Sequence, residues 1–146
     1  MPSTSRVSGL RHVAVAFVAA ATVFLSLDAV WLVTMAEHLY RPAIGHIMRE
    51  DFDLMAAAAF YAIYLTGLVV FVVRPANDGR TALVRGAFFG AVCYATYDLT
   101  NQATIVKWPW HVTLIDLAWG ASVTAASAWA GQRAGSAATR GPTLEA

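Results

Sequence analysis

Three stretches of this chain, 12–36, 54–73 and 108–130, contain no Lys, Arg or Glu, and each is long enough to cross a hydrocarbon core of about 30 Å as a helix. A fourth, 86–106, is apolar except for the run Tyr94-Ala95-Thr96-Tyr97-Asp98-Leu99-Thr100-Asn101-Gln102, and it reads as a fourth spanning helix with a polar insert. Charged residues are only 13% of the 146, against roughly 25% in soluble domains, which leaves too few to solvate a soluble bundle. The apolar residues also run round the whole circumference of each stretch and form no single stripe. The fold expected is therefore all-α, an integral membrane bundle of four transmembrane helices in one domain, 12–130. A polar N-terminal segment, 1–11, precedes it, and a Gly-, Ala-, Ser- and Thr-rich tail, 131–146, reads as disordered.

Arg6 and Arg11 before the first apolar run, with Thr34-Met35-Ala36 at its end, imitate a signal peptide. The run is much longer than the roughly 7–15 residues of a signal core, so it reads as an uncleaved helix. The link 37–53 contains Tyr40, Ile44, Ile47 and Met48 among polar residues and suits a short helix lying at the interface. Pro75 and Asn77-Asp78-Gly79 mark a turn, and Pro109, flanked by Trp108 and Trp110, suits the first turn of the last helix at the membrane boundary. The N-terminus, the second link and the C-terminus hold Arg6, Arg11, Arg74, Arg80, Arg85, Arg133 and Arg140; the other face holds Arg41, Arg49 and Lys107. Positive residues favour the cytoplasm, so both termini are expected inside a bacterial inner membrane.

That topology gives the three intramembrane acids one depth. Asp28 and Asp98 lie eight residues before the outer ends of their spans and Asp116 eight residues after Trp108, about 12 Å inside at roughly 1.5 Å per residue. Tyr61 joins the layer and Tyr64 lies one turn deeper. On the third span, Gly86, Gly90, Tyr94, Tyr97, Asp98 and Asn101 fall within about 120° at roughly 100° per residue, so the small-residue motif Gly86-x-x-x-Gly90 and the polar groups share a stripe that should face protein. Asp28-x-x-Trp31 and Asp116-x-x-Trp119 repeat one pattern, in which Trp covers its Asp and offers an indole N–H. Lys, Arg and His are missing from the central part of every span. A carboxyl buried without a counter-ion favours its neutral form, so the layer should hold a proton at neutral pH or bind an external cation.

These residues narrow the chemistry. The single Cys93 has no base beside it, no His lies in the acid layer, and His38 and His46 do not share a helical turn, so no nucleophilic triad, metal, haem or other cofactor is expected. Each Asp stands alone in its helix, which argues against Mg²⁺-diphosphate chemistry, and no basic cluster invites nucleic acid. The partners expected are the lipid bilayer and a small lipophilic or cationic ligand. A bundle this small suits homo-oligomer formation, though no residue fixes it. The site is read as Asp98 at the centre, Asp28 and Asp116 flanking, Tyr61, Tyr97 and Asn101 orienting, and Tyr64, Tyr94, Trp31 and Trp119 around them. Proton-coupled ligand binding or transport is the leading reading. An intramembrane lipid-modifying enzyme or subunit is the second, and acids acting as interhelical glue the third. In outline the chain is similar to the small multidrug transporters, without their Glu in the first helix.

A closer resemblance rests on Leu27-Asp28-Ala29-Val30-Trp31-Leu32, Phe60-Tyr61-Ala62-Ile63-Tyr64, Tyr97-Asp98-Leu99-Thr100-Asn101 with Ala103-Thr104, Trp108-Pro109 and Asp116-Leu117-Ala118-Trp119-Gly120. Over residues 13–130 the chain resembles the bacterial membrane-protein family called domain of unknown function 2177. The resemblance implies an integral membrane protein of about four helices and carries no activity with it.

Overall fold

The computed structural model describes residues 3–139, whose regular elements are all helices, with no strand among the described residues. Helix α1 (Ser3–Met35) runs without a break through a π-helical turn, Ala36–Tyr40, into α2 (Arg41–Ile44) and a 3-10 turn, Gly45–Ile47. The short helix expected in the first link thus forms, but as a continuation of α1. Helix α3 (Leu54–Leu68) also ends in a π turn, Val69–Val73; α4 is Gly79–Thr104 and α5 is Trp110–Thr139. Two continuous helices, Gly9–Ile47 and Leu54–Val73, each containing an 18-residue stretch of mean hydropathy 2.2, are long and apolar enough to cross a membrane.

Asp53 and Asp78 start α3 and α4 as N-caps, accepting from the backbone N–H of Ala56 at 3.0 Å and of Thr81 at 2.7 Å. Helix four of the sequence reading is longer than expected. It extends to Thr139, so residues 131–139 are helical where disorder was expected, and Gly131, Gln132 and Gly135 are buried. Residues 140–146 lie outside the described chain. Pro109 stands just before α5, its carbonyl accepting from the Val112 N–H at 3.0 Å. Of the two flanking Trp, only Trp110 is exposed; Trp108 is buried against Leu39, Ile44 and Val112 and donates to Thr113 Oγ1 at 3.1 Å.

Helix α5 is the centre of the bundle, packed along α4 on one side and α1 on the other. Both seams depend on small residues. A methyl group on Gly86 would lie 2.7 Å from Ala128 Cβ and 2.9 Å from the Thr124 carbonyl; one on Gly90 would overlap the Gly120 carbonyl, and one on Gly120 the Tyr94 ring. Gly131 and Gly135 admit Ala16, Ala20 and His12 of α1 equally closely, which is why the tail is ordered. The buried side of α1 reads Ala16, Ala20, Phe24, Asp28, and that of α4 reads Ala82, Gly86, Gly90, Asp98. Steps of four along each helix therefore carry the packing seam directly up to an acid.

Gly90→Ala should destabilise the protein by about 1–3 kcal/mol or more in reversible detergent unfolding. Gly9→Ala, inside α1 with nothing within 4 Å, should instead stabilise by up to about 1 kcal/mol, Ala being the better helix former. The Thr81 backbone N–H, helped by its hydroxyl, holds the Asp78 carboxyl below the usual carboxylate range. A carboxyl depressed in the fold stabilises above its unfolded pKa and loses that contribution as pH falls through its folded value. Asp78→Asn, which still caps, should flatten the decline of Tm below about pH 4, and Asp78→Ala should lower Tm at neutral pH.

Candidate functional site

Helix α3 is buried in the bundle through its second half, and its first half touches α1 through Tyr61. Tyr64, Leu65 and Leu68 with Val69, Val72 and Val73 are buried, whereas nothing from Leu54 to Ile63 is. The first half of α3 therefore stands off α1, α4 and α5, and a cavity of about 450 Å³ fills the gap. Asp28 and Trp31 of α1, Tyr61 and Tyr64 of α3, Tyr94 and Tyr97 of α4, and Asp116 and Trp119 of α5 all line it. Leu32, Tyr40, Phe52, Ala57, Phe60 and Cys93 complete the wall.

The two Asp-x-x-Trp segments meet across the antiparallel pair α1 and α5, where Trp119 bonds the acid of α1 directly and Trp31 reaches the acid of α5 through Tyr40. Trp119 Nε1–H donates to Asp28 Oδ1 at 3.3 Å, and Tyr61 donates to Asp28 Oδ2 at 2.6 Å. Trp31 Nε1–H donates to the Tyr40 hydroxyl at 2.9 Å, which donates to Asp116 Oδ1 at 2.6 Å. Between them the two indoles stack, 4.2 Å apart and 7° from parallel. Tyr64 shares a hydrogen bond of 2.7 Å with Thr124 Oγ1, and Phe24 and Phe89 pack its ring.

Eight of the ten expected site residues therefore share one cavity, while Asp98 and Asn101 are not among those that line it. Asp98, read as the centre, is fully buried to one side with both carboxyl oxygens unpartnered. Tyr97 does not orient it: adjacent residues on a helix point apart, and Tyr97 is 60% exposed, edge-on to Trp108 with ring centres 6.0 Å apart. Asn101, half-buried one turn on, gives it no hydrogen bond. The stripe of α4 is thus narrower than expected, with Tyr97 at its edge. The residue that sequence reasoning missed is Tyr40. In an unbroken α-helix it would sit about 180° round from Trp31 at roughly 100° per residue, and the π turn changes that phase. No pattern in the sequence marks such a turn.

A helical membrane protein with acids and aromatic side chains around an internal cavity is the class that these features define. The chain belongs to the family described as "Predicted membrane protein (DUF2177)", whose model matches residues 13–133. No curated protein and no solved structure matches it.

Because each oxygen of Asp28 has one donor, Tyr61→Phe should lower the unfolding free energy by about 1–3 kcal/mol, the range for a buried acceptor left unsatisfied. Most of that loss should vanish in an Asp28→Ala background. Additive losses in the double-mutant cycle would show that the pair is not coupled.

Proposed function

We propose that this protein crosses the bacterial inner membrane four times, with both termini cytoplasmic, and that its cavity binds a lipophilic organic cation. Four spans are supported by the outer faces of the two more polar helices. Leu83, Val84, Phe88 and Val92 of α4 and Leu114, Ile115 and Trp129 of α5 are exposed, as lipid contact requires. The exposed hydroxyls of Thr96, Thr100 and Thr104 each donate to the carbonyl four residues back, at 2.6–2.8 Å, and so need no water. The bias of Arg toward the termini and the second link supports the orientation.

One observation carries the ligand reading. The cavity wall presents aromatic rings and two carboxyl groups, with no Lys, Arg or His among its lining residues. A cation there meets ring faces and a carboxylate in a low-dielectric setting, where both attractions are strong. Asp116 is the better anchor. Among the described residues it accepts one hydrogen bond, whereas Asp28 has a donor at each oxygen. The rim is apolar, with Phe52 74% and Phe60 45% exposed, so the route in favours a ligand that partitions into lipid. The same rim favours a second reading, in which a neutral lipid chain occupies the cavity and is acted on there.

Cys93, the single cysteine, lines the cavity and reports on its occupancy. Tetraphenylphosphonium should slow alkylation of Cys93 by N-ethylmaleimide at concentrations at least about tenfold lower than neutral triphenylphosphine oxide, a difference of about 1.4 kcal/mol. Asp116→Asn should remove that preference. Equal protection by the neutral compound would overturn the cation reading, and selective protection by oleyl alcohol would favour the lipid one.

A further inference from the structure

Asp98 is the one acid of the three that does not line the cavity. It has no exposed surface, and among the described residues its two carboxyl oxygens are the buried side-chain atoms left without a hydrogen-bond partner. Asn101, one turn further along, gives it no hydrogen bond, and the neighbouring Gln102 is engaged elsewhere. Thr113 donates to Gln102 Oε1 at 3.3 Å, and Gln102 Nε2–H donates to the Trp108 carbonyl at 3.0 Å. An ionised carboxylate with no donor at either oxygen is the least favourable form of a buried acid, so with no cation nearby this position favours the neutral acid. Asp116 differs, since Tyr40 donates to it at 2.6 Å and it faces the cavity. The other titratable groups around the two acids are Asp28 on α1, Tyr40 on the π turn, Tyr61 and Tyr64 on α3, and Cys93, Tyr94 and Tyr97 on α4; none is basic.

We propose that Asp98 is a proton-binding site set apart from the cavity, and that its proton and a cation seated at Asp116 bind antagonistically. The second half of this rests on the cavity's taking a cation. With the cavity empty, a charged Asp116 repels a second negative charge and Asp98 keeps its O–H bond. A cation beside Asp116 cancels that repulsion. The Asp98 O–H bond then breaks, its electron pair stays on the carboxylate and the proton leaves to water, so one positive charge enters as one departs. The coupling is reciprocal: whatever factor the cation imposes on proton binding, the proton imposes on the cation.

Infrared difference spectroscopy of the full chain in detergent tests both halves. At neutral pH without added cation, the wild type should show the carbonyl band of a protonated carboxyl, identified by its shift in D₂O. Asp98→Asn should lack that band and Asp116→Asn should keep it. Saturating tetraphenylphosphonium should bleach it in the wild type. The affinity of that cation, read from Cys93 protection, should rise at least about fivefold from pH 6 to pH 8 in the wild type and stay flat in Asp98→Asn, fivefold being the low end of ordinary site coupling. A wild type with no protonated band at neutral pH overturns the proton site without recourse to any variant, as does a band that survives in Asp98→Asn. A band bleached by sodium chloride and not by the phosphonium makes Asp98 a sodium site and overturns the proposal equally. If the phosphonium protects Cys93 and leaves the Asp98 band unmoved, the antagonism is overturned. If it does not protect Cys93 at all while the band behaves as described, the cavity reading and the antagonism fall and the proton site stands.

Discussion

A carboxyl group in an apolar interior with no cation beside it must find hydrogen-bond donors or stay neutral, and the upper half of this bundle is arranged by that requirement. Asp28 and Asp116 find their donors on other elements: Tyr61 from α3, Trp119 from α5 and Tyr40 from the turn after α1. Each such bond links two helices, so the acids fix how the wall of the cavity is assembled. The donors are Tyr and Trp side chains, whose apolar bodies suit the interior while a single polar group meets the acid. Asp98 finds no donor and stays outside this arrangement.

Small residues make the arrangement reachable. Gly86, Gly90 and Gly120 bring α4 and α5 into backbone contact, and Gly131 and Gly135 do the same for α5 and α1. Only when α1 and α5 lie this close can an indole on one bond the group it serves from the other and the two rings stack at 4.2 Å. Packing low in the bundle and polar chemistry high in it are therefore one design, joined by seams that repeat every four residues and end in Asp28 and Asp98.

The features legible in the sequence were those set by local composition and by helical phase. The all-helical fold, the inward stripe of Gly86, Gly90 and Asp98, and the convergence of Asp28, Asp116, Tyr61 and Tyr64 all follow from positions on regular helices. What stayed hidden depends on departures from regularity or on context. The π turn at Ala36–Tyr40 re-aims Tyr40 by a change of phase that composition does not announce. The Gly, Ala and Ser content of 131–139 has the composition of a disordered tail, yet against Ala16 and Ala20 those residues form a helical seam. The repeated Asp-x-x-Trp was visible, but the bond from Trp119 to the acid of the other helix and the relay from Trp31 through Tyr40 to Asp116 were not, because both need the antiparallel contact of α1 and α5. Asp98 reads as the centre from sequence because it lies in the polar run and on the inward stripe of its span at the depth of the other two acids, whereas cavity lining depends on which side α3 stands.

Helix α3 closes against the bundle at one end, through Leu68, Val69, Val72 and Val73, and nearer its other end it is tied by the bond from Tyr61 to Asp28. Tight packing of α1, α4 and α5 runs along their length, and the cavity occupies the space between them and the first half of α3. Close packing and room for a ligand are therefore assigned to different helices of a single chain of 146 residues.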